Sequence, residues 1–208
     1  MVNCNKNSFL LLDAGCGKRS SIICPIDNAE LVGVDILRAN VEVCRKKWRN
    51  RSYVVADLTM LPFIKEAFGG AMSADVLEHI EDKTLAINEL ARITRRGGFF
   101  IGSSTNILNP VLWLDAKFPT LLKPLERKLS DPGHYDRHSR FSPSSLTKTL
   151  NSTGFRLNYL YLLGYPQFSQ TKPTLSGLAL LWILFDKLTK KKILVYFKEI
   201  LVWKATRL

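Results

Sequence analysis

Phe9-Leu10-Leu11-Leu12-Asp13-Ala14-Gly15-Cys16-Gly17 joins four consecutive apolar residues directly to a glycine loop. Four apolar residues are too few for a helix core. They suit a strand buried on both faces, the usual state of a parallel strand inside an α/β sheet. Two glycines one residue apart let the backbone turn tightly and let a ligand approach where a Cβ would collide. A strand that ends in such a loop predicts a ligand at the carboxyl edge of an open α/β sheet.

The next segments keep the same grammar. Lys18 to Pro25 leaves room only for a short helix. Ala29 to Ile36 reads as a second apolar strand closing on Asp35, 20 residues after Gly15, the spacing at which a carboxylate accepts ribose hydroxyls. Ala39 to Asn50 reads as a helix with Val41, Cys44 and Trp48 on one face, its other face a solvated run of cations. Ser52 to Leu58 is a third strand carrying Asp57, whose carboxylate suits an adenine amino group while the Leu58 amide reads a ring nitrogen. Two features disfavour a dinucleotide. Its third glycine would fall on Ser20, and the charge of Asp13 sits badly beside a pyrophosphate. A ligand carrying an ammonium and a sulfonium tolerates that charge.

Gly70 to Asp75 reads as a fourth strand, followed by Leu77-Glu78-His79-Ile80-Glu81-Asp82. A helix over Lys83 to Arg95 buries Ala86, Ile87, Leu90 and Ala91 and stops at Arg95-Arg96-Gly97-Gly98. Phe99 to Ser104 is a fifth strand. Short alternations of strand and helix argue for a parallel sheet with right-handed crossovers.

In order and spacing, Asp13-x-Gly15-x-Gly17, Asp35, Asp57, the LEHIED stretch and Arg96-Gly97-Gly98 resemble the Rossmann-like, class I S-adenosylmethionine (SAM)-dependent methyltransferases. The resemblance covers about residues 9–105 and is closest to the type 11 subgroup, which includes the ubiquinone and menaquinone methyltransferases. It resumes at His138-Ser139-Arg140-Phe141-Ser142-Pro143-Ser144-Ser145-Leu146 and at Gly154-Phe155. There Ser142 and Pro143 suit a helix start and Gly154 a helix stop, with Leu146 and Leu150 on the buried side. It implies a three-layer α/β fold with a seven-stranded, mostly parallel sheet of order 3-2-1-4-5-7-6. The sixth strand would be Phe155 to Leu163, and the antiparallel seventh Ile200 to Ala205. It also implies SAM as cofactor, held by Asp13, Ala14, Gly15, Cys16 and Gly17, by Asp35 with Ile36, by Asp57 with Leu58, and by Asp75. One departure stands out: members usually carry an acid after the Phe that opens the fourth strand, whereas here Phe68 is followed by Gly69 and Gly70.

The 208 residues fit one domain spanning 1–208, with two stretches outside the resemblance, about 107–140 and 166–192, where members insert substrate-covering elements. The first strand begins so near residue 1 that the N-terminal lid helices common in the family are not expected. Candidate bases, needed only for a poor nucleophile such as a hydroxyl, are His79, His134 and His138, with Asp75 and Tyr135 behind them. Ser73-Ala74-Asp75-Val76 stands where base-methylating relatives carry Asn/Asp-Pro-Pro-Tyr/Phe, which disfavours a nucleobase amine. Cys4, Cys16, Cys24 and Cys44 form no C-x-x-C pair and no cluster with histidine, so no metal is expected, and free thiols with no signal peptide suggest a cytoplasmic protein.

The net charge of +12 is uneven: residues 116–208 hold 16 Lys/Arg against 5 Asp/Glu. The cations there interleave with apolar stretches, none long enough to span a bilayer. That pattern suits a small-molecule or lipid-type acceptor, with the chain peripheral on the inner, anionic face of a membrane. The alternative is an RNA or protein methyltransferase whose basic half holds an acidic partner, nucleic acid being the weaker expectation. A cofactor-fold protein without chemistry sits poorly with carboxylates at Asp13, Asp35 and Asp57.

Overall fold

The computed structural model describes residues 8–20, 22, 26–108, 140–163 and 200–208. Seven strands form one sheet in the order β3-β2-β1-β4-β5-β7-β6. They are β1 (Phe9–Ala14), β2 (Ala29–Asp35), β3 (Ser52–Val55), β4 (Phe68–Ala74), β5 (Thr94–Thr105), β6 (Phe155–Leu163) and β7 (Ile200–Arg207). Strands β1 to β5 pair in parallel, and β7 runs antiparallel between β5 and β6. Among the described residues the helices are α1 (Arg38–Lys47), α2 (Lys83–Ile93) and α3 (Pro143–Ser152), with one 3₁₀ turn at Leu77–His79. The fold is therefore the Rossmann-like, α/β sheet that the resemblance implies, antiparallel last strand included.

Burial follows the expected faces. Ala86, Ile87, Leu90 and Ala91 of α2 and Leu146 and Leu150 of α3 join Phe68, Phe100, Phe155 and Trp203 in one apolar cluster. A smaller cluster under α1 holds Cys16, Val41, Cys44 and Tyr53, with Trp48 packed against it. Ser142 caps α3 and exchanges hydrogen bonds with Ser145 in a capping box, with Pro143 in the first turn. Gly154 follows in the left-handed region (φ +85°).

Several boundaries differ from the sequence expectation. No helix is described within Lys18 to Pro25: residues 17–19 form a turn, while 21 and 23–25 lie outside the described residues. Helix α1 stops at Lys47 rather than Asn50 because Trp48 turns out of helical geometry, its ring flanked by Lys47 (4.4 Å) and Arg51 (5.5 Å). Strand β3 ends at Val55, two residues before Asp57. Helix α2 ends at Ile93, and Thr94 already pairs with Phe68. Arg95-Arg96-Gly97-Gly98 is thus an irregularity within β5, between the Phe68–Thr94 and Gly70–Phe99 pairs, and not a helix terminus.

The unusual Gly69-Gly70 has a packing cause. A Cβ on Gly69 would meet the ring of Phe9 at 2.5 Å, and one on Gly70 the ring of Phe99 at 2.6 Å. Those two rings contact edge to face, 6.4 Å between centroids. An aromatic pair occupies the space that side chains at these positions would need. The inserts proposed at 107–140 and 166–192 fall, apart from residues 107, 108 and 140, outside the described residues.

Candidate active site

Three strand ends meet where the sheet order reverses between β1 and β4, the position at which open α/β sheets bind ligands. After β1 the chain turns through Gly15 (φ +80°) and Gly17 (φ +53°). Both Gly15 and Cys16 donate their amides to the Val34 carbonyl, which pins the loop to the end of β2. A Cβ on Gly15 would collide with the side chain of Val76, so glycine is required there by space as well as by φ. A Cβ on Gly17 would meet nothing within 4 Å, and the loop is open on that side.

Asp35 is the hinge of this arrangement. Its Oδ2 accepts the Gly17 amide at 2.8 Å, and its Oδ1 accepts the Leu37 amide at 2.9 Å and the Asn40 Nδ2 at 3.0 Å. One carboxylate thereby fixes the glycine loop to the start of α1. Asp13 is buried, and its Oδ2 accepts the Ser20 hydroxyl at 2.6 Å. Arg51 donates to Ser20 Oγ (3.2 Å) and to the Ile22 carbonyl (2.6 Å). Ser20 itself sits at φ +55°, a conformation held by its hydroxyl's contacts with Asp13, Arg51 and the Ile22 carbonyl and by its amide's bond to the Cys16 carbonyl. Beneath the loop, Cys44 Sγ donates to the Gly17 carbonyl at 3.1 Å. Burial drives the Cys16 thiol far above its ordinary range, with Cys44, Asp13 and Asp35 adding to the shift, so Cys16 is a neutral packing group.

The other cofactor candidates line the same edge. Asp57 is exposed, and its Oδ1 accepts both the amide and the hydroxyl of Thr59 at 2.8 Å; Leu58 beside it is buried. Ile36 is exposed and apolar at the end of β2. Asp75 is exposed in the left-handed region (φ +54°), its Oδ1 accepting the Ser103 hydroxyl at 2.9 Å. Ala14 is fully buried in the strand. The structure thus brings Asp13, Ala14, Gly15, Cys16, Gly17, Asp35 and Ile36 into one neighbourhood, with Asp57, Leu58 and Asp75 on neighbouring strand ends.

Of the candidate bases, His79 is exposed on the 3₁₀ turn, and His134 and His138 lie outside the described residues. The inward residues of that turn are Leu77 and the polar Glu78. Glu78 is 8% exposed, and its Oε1 accepts the Thr105 amide (3.3 Å) and hydroxyl (3.1 Å) across the end of β5. Its Oε2 is buried without a hydrogen-bond partner. Lys83 stands over the Phe141 ring at 4.3 Å; burial lowers its pKa, and the charge of Glu78 opposes that shift. Glu78, Arg51 and Asn40 had no sequence signal of their own, except that Glu78 lies inside LEHIED and Ser20 marked the break from the dinucleotide pattern.

Residues 12–102 match the family model described as a methyltransferase domain, type 11. An O-methyltransferase of Penicillium expansum is 32% identical over 42% of the chain and 34% of its own length. An O-methyltransferase of Pyrenophora dematioidea is 25% identical over 71% of the chain and 54% of its own length. The chain thus spans between a third and about half the length of these curated relatives. A geranyl diphosphate C-methyltransferase from Streptomyces coelicolor, solved with Mg²⁺, geranyl diphosphate and S-adenosylhomocysteine (SAH), superposes with TM-score 0.68 at 15% identity. That superposition covers 97% of this chain and 73% of that one, a likeness of fold.

Proposed function

Because this chain belongs, through residues 12–102, to the type 11 family of class I SAM-dependent methyltransferases, we propose that it methylates a hydroxyl of a small-molecule or lipid-type acceptor. The observation that carries the cofactor half is Asp35 at the end of β2, tied to the open Gly15–Gly17 loop. In this reading Asp35 accepts the ribose hydroxyls, Asp57 and Leu58 take the adenine edge, and Ile36 lies against the ring. Asp13, held by Ser20, presents negative charge behind the loop where a cationic ligand belongs. Bound SAM supplies an activated methyl group. The protein's part is to hold the acceptor in line, which is worth roughly 7–11 kcal/mol of barrier.

With the nucleoside half assigned to the β2 end, the acceptor side falls at the ends of β4 and β5. Exposed Ile107 and Leu108 directly after β5 favour an apolar acceptor there, and the O-methyltransferase names of the relatives support a hydroxyl. We assign one domain to residues 1–208, with the stretches about 107–140 and 166–192 as the acceptor's cover and His134 and His138 as secondary base candidates. The basic, apolar rear half supports work at an anionic membrane face.

Labelled SAM offered to separated small-molecule, lipid, RNA and protein fractions tests this reading. Label in a hydroxyl of a small molecule or lipid is expected. Label confined to RNA or protein overturns it.

A further inference from the structure

We propose that Glu78 is the catalytic base, its Oε2 receiving the proton of the acceptor hydroxyl. This rests on the hydroxyl-methylation reading above. Three observations place the carboxylate. The Asp75–Glu78 segment leaves β4 beside the glycine loop, with Val76 filling the space against Gly15. From there Glu78 bridges to Thr105, so its carboxylate lies between the ends of β4 and β5 on the acceptor side. The side chain is more than nine-tenths buried, yet only Oε1 is satisfied while Oε2 accepts nothing. A buried carboxylate oxygen with no donor is costly, and a hydroxyl-bearing ligand supplies the missing donor.

The charged group facing Glu78 from the neighbouring helix is Lys83, held at the Phe141 ring. No charged side chain on β5 reaches Glu78 in the described contacts, its partner there being the Thr105 amide and hydroxyl. The atoms balance. The acceptor oxygen forms its bond to the methyl carbon as the sulfur–methyl bond breaks, the sulfur keeps the bonding pair, and the hydroxyl proton passes to Oε2. Solvent recovers that proton after product release.

Glu78→Gln tests the assignment, since an amide oxygen still accepts from Thr105 but accepts no proton. Three quantities are read on the full chain: SAH affinity by calorimetry, affinity of the SAH complex for catechol and other simple phenols and long-chain alcohols, and methyl transfer to the same probes. SAH affinity should be unchanged. Probe affinity should fall roughly tenfold or more with the lost charge-assisted bond, and kcat about a hundredfold or more. Glu78→Ala, which also loses the Thr105 brace, should lower Tm where Glu78→Gln does not. A Glu78→Gln enzyme with wild-type kcat and probe affinity overturns the assignment and leaves the hydroxyl reading standing. Wild-type transfer to none of these hydroxyl probes overturns that reading and the base with it.

Discussion

At Gly15 two constraints coincide, and they separate by mutation. Its φ of +80° costs an L residue about 1–2 kcal/mol, and a Cβ also strikes Val76. Gly15→Ala should therefore destabilise the protein and weaken SAM binding together. Adding Val76→Ala removes the two Cγ contacts but leaves its Cβ at 2.9 Å as well as the backbone cost, so urea unfolding should recover only part of the loss. Full recovery would show that φ contributes nothing there. Asp35 holds the Gly17 and Leu37 amides and the Asn40 side-chain amide, and is the residue proposed above for the ribose. Asp35→Ala should raise the SAM Kd roughly tenfold or more by calorimetry, since charge-assisted hydrogen bonds are worth about 1.5–3 kcal/mol. Unchanged affinity would put the ribose elsewhere. The apolar runs and terminal acids made these positions legible in sequence. Ser20 on Asp13 and Arg51 on Ser20 were not, because partners 7 and 31 residues apart leave no local pattern.

At the scale of elements, the link between α2 and the loop after β3 has a titratable centre. Glu89 accepts Arg92 Nε (2.7 Å), Arg92 Nη2 (2.8 Å) and the Leu61 amide (2.8 Å). Arg92 in turn donates to the carbonyls of Leu61 and Phe63. The pair thus fastens the segment that begins at Asp57. Arg92 lowers the Glu89 pKa below its ordinary 4.5, against the opposing effect of burial. A depressed carboxylate stabilises the fold above its unfolded value, and that contribution is lost as pH falls through the folded value. Glu89→Gln should cost about 1–2 kcal/mol at neutral pH, at the low end because Arg92 is partly exposed. The gap from wild type in urea unfolding should close below about pH 4.5; a gap constant down to pH 3 would remove Glu89 as its source. Sequence periodicity located both helices packed on the main core but overran α2, because Arg95-Arg96-Gly97-Gly98 carries the signals of a helix stop while serving as an irregularity in β5. Helix α1 was overrun for another reason: Trp48 continues the apolar spacing, yet packs from outside the helix.

For the whole molecule, the sheet order was legible only through resemblance, since residue patterns fix strands but not their neighbours. What composition does fix is where the charge lies. Residues 1–115 carry 14 Lys/Arg and 13 Asp/Glu, so the net of +12 belongs almost wholly to residues 116–208. Lys187 lies near the end of the apolar stretch Leu175 to Leu188 and Lys190, Lys191 and Lys192 follow it, while Lys117, Lys123, Arg127 and Lys128 lie in the other insert. Among the described residues no helix is long and apolar enough to cross a membrane. Cations beside apolar residues suit adsorption to an anionic bilayer, each cation near the surface adding about 1 kcal/mol. The screening length falls from about 10 Å at 0.1 M salt to about 3 Å at 1 M, so an electrostatic attachment has to weaken over that range. In flotation, the protein should rise with vesicles containing phosphatidylserine at low salt, be released at high salt, and stay behind with phosphatidylcholine alone. Replacing Lys190, Lys191 and Lys192 with Gln should shift release to lower salt without changing SAM affinity. Absence from both kinds of vesicle, with methyl transfer to a soluble acceptor intact, would assign the basic half to solvation and leave the acceptor to arrive through water.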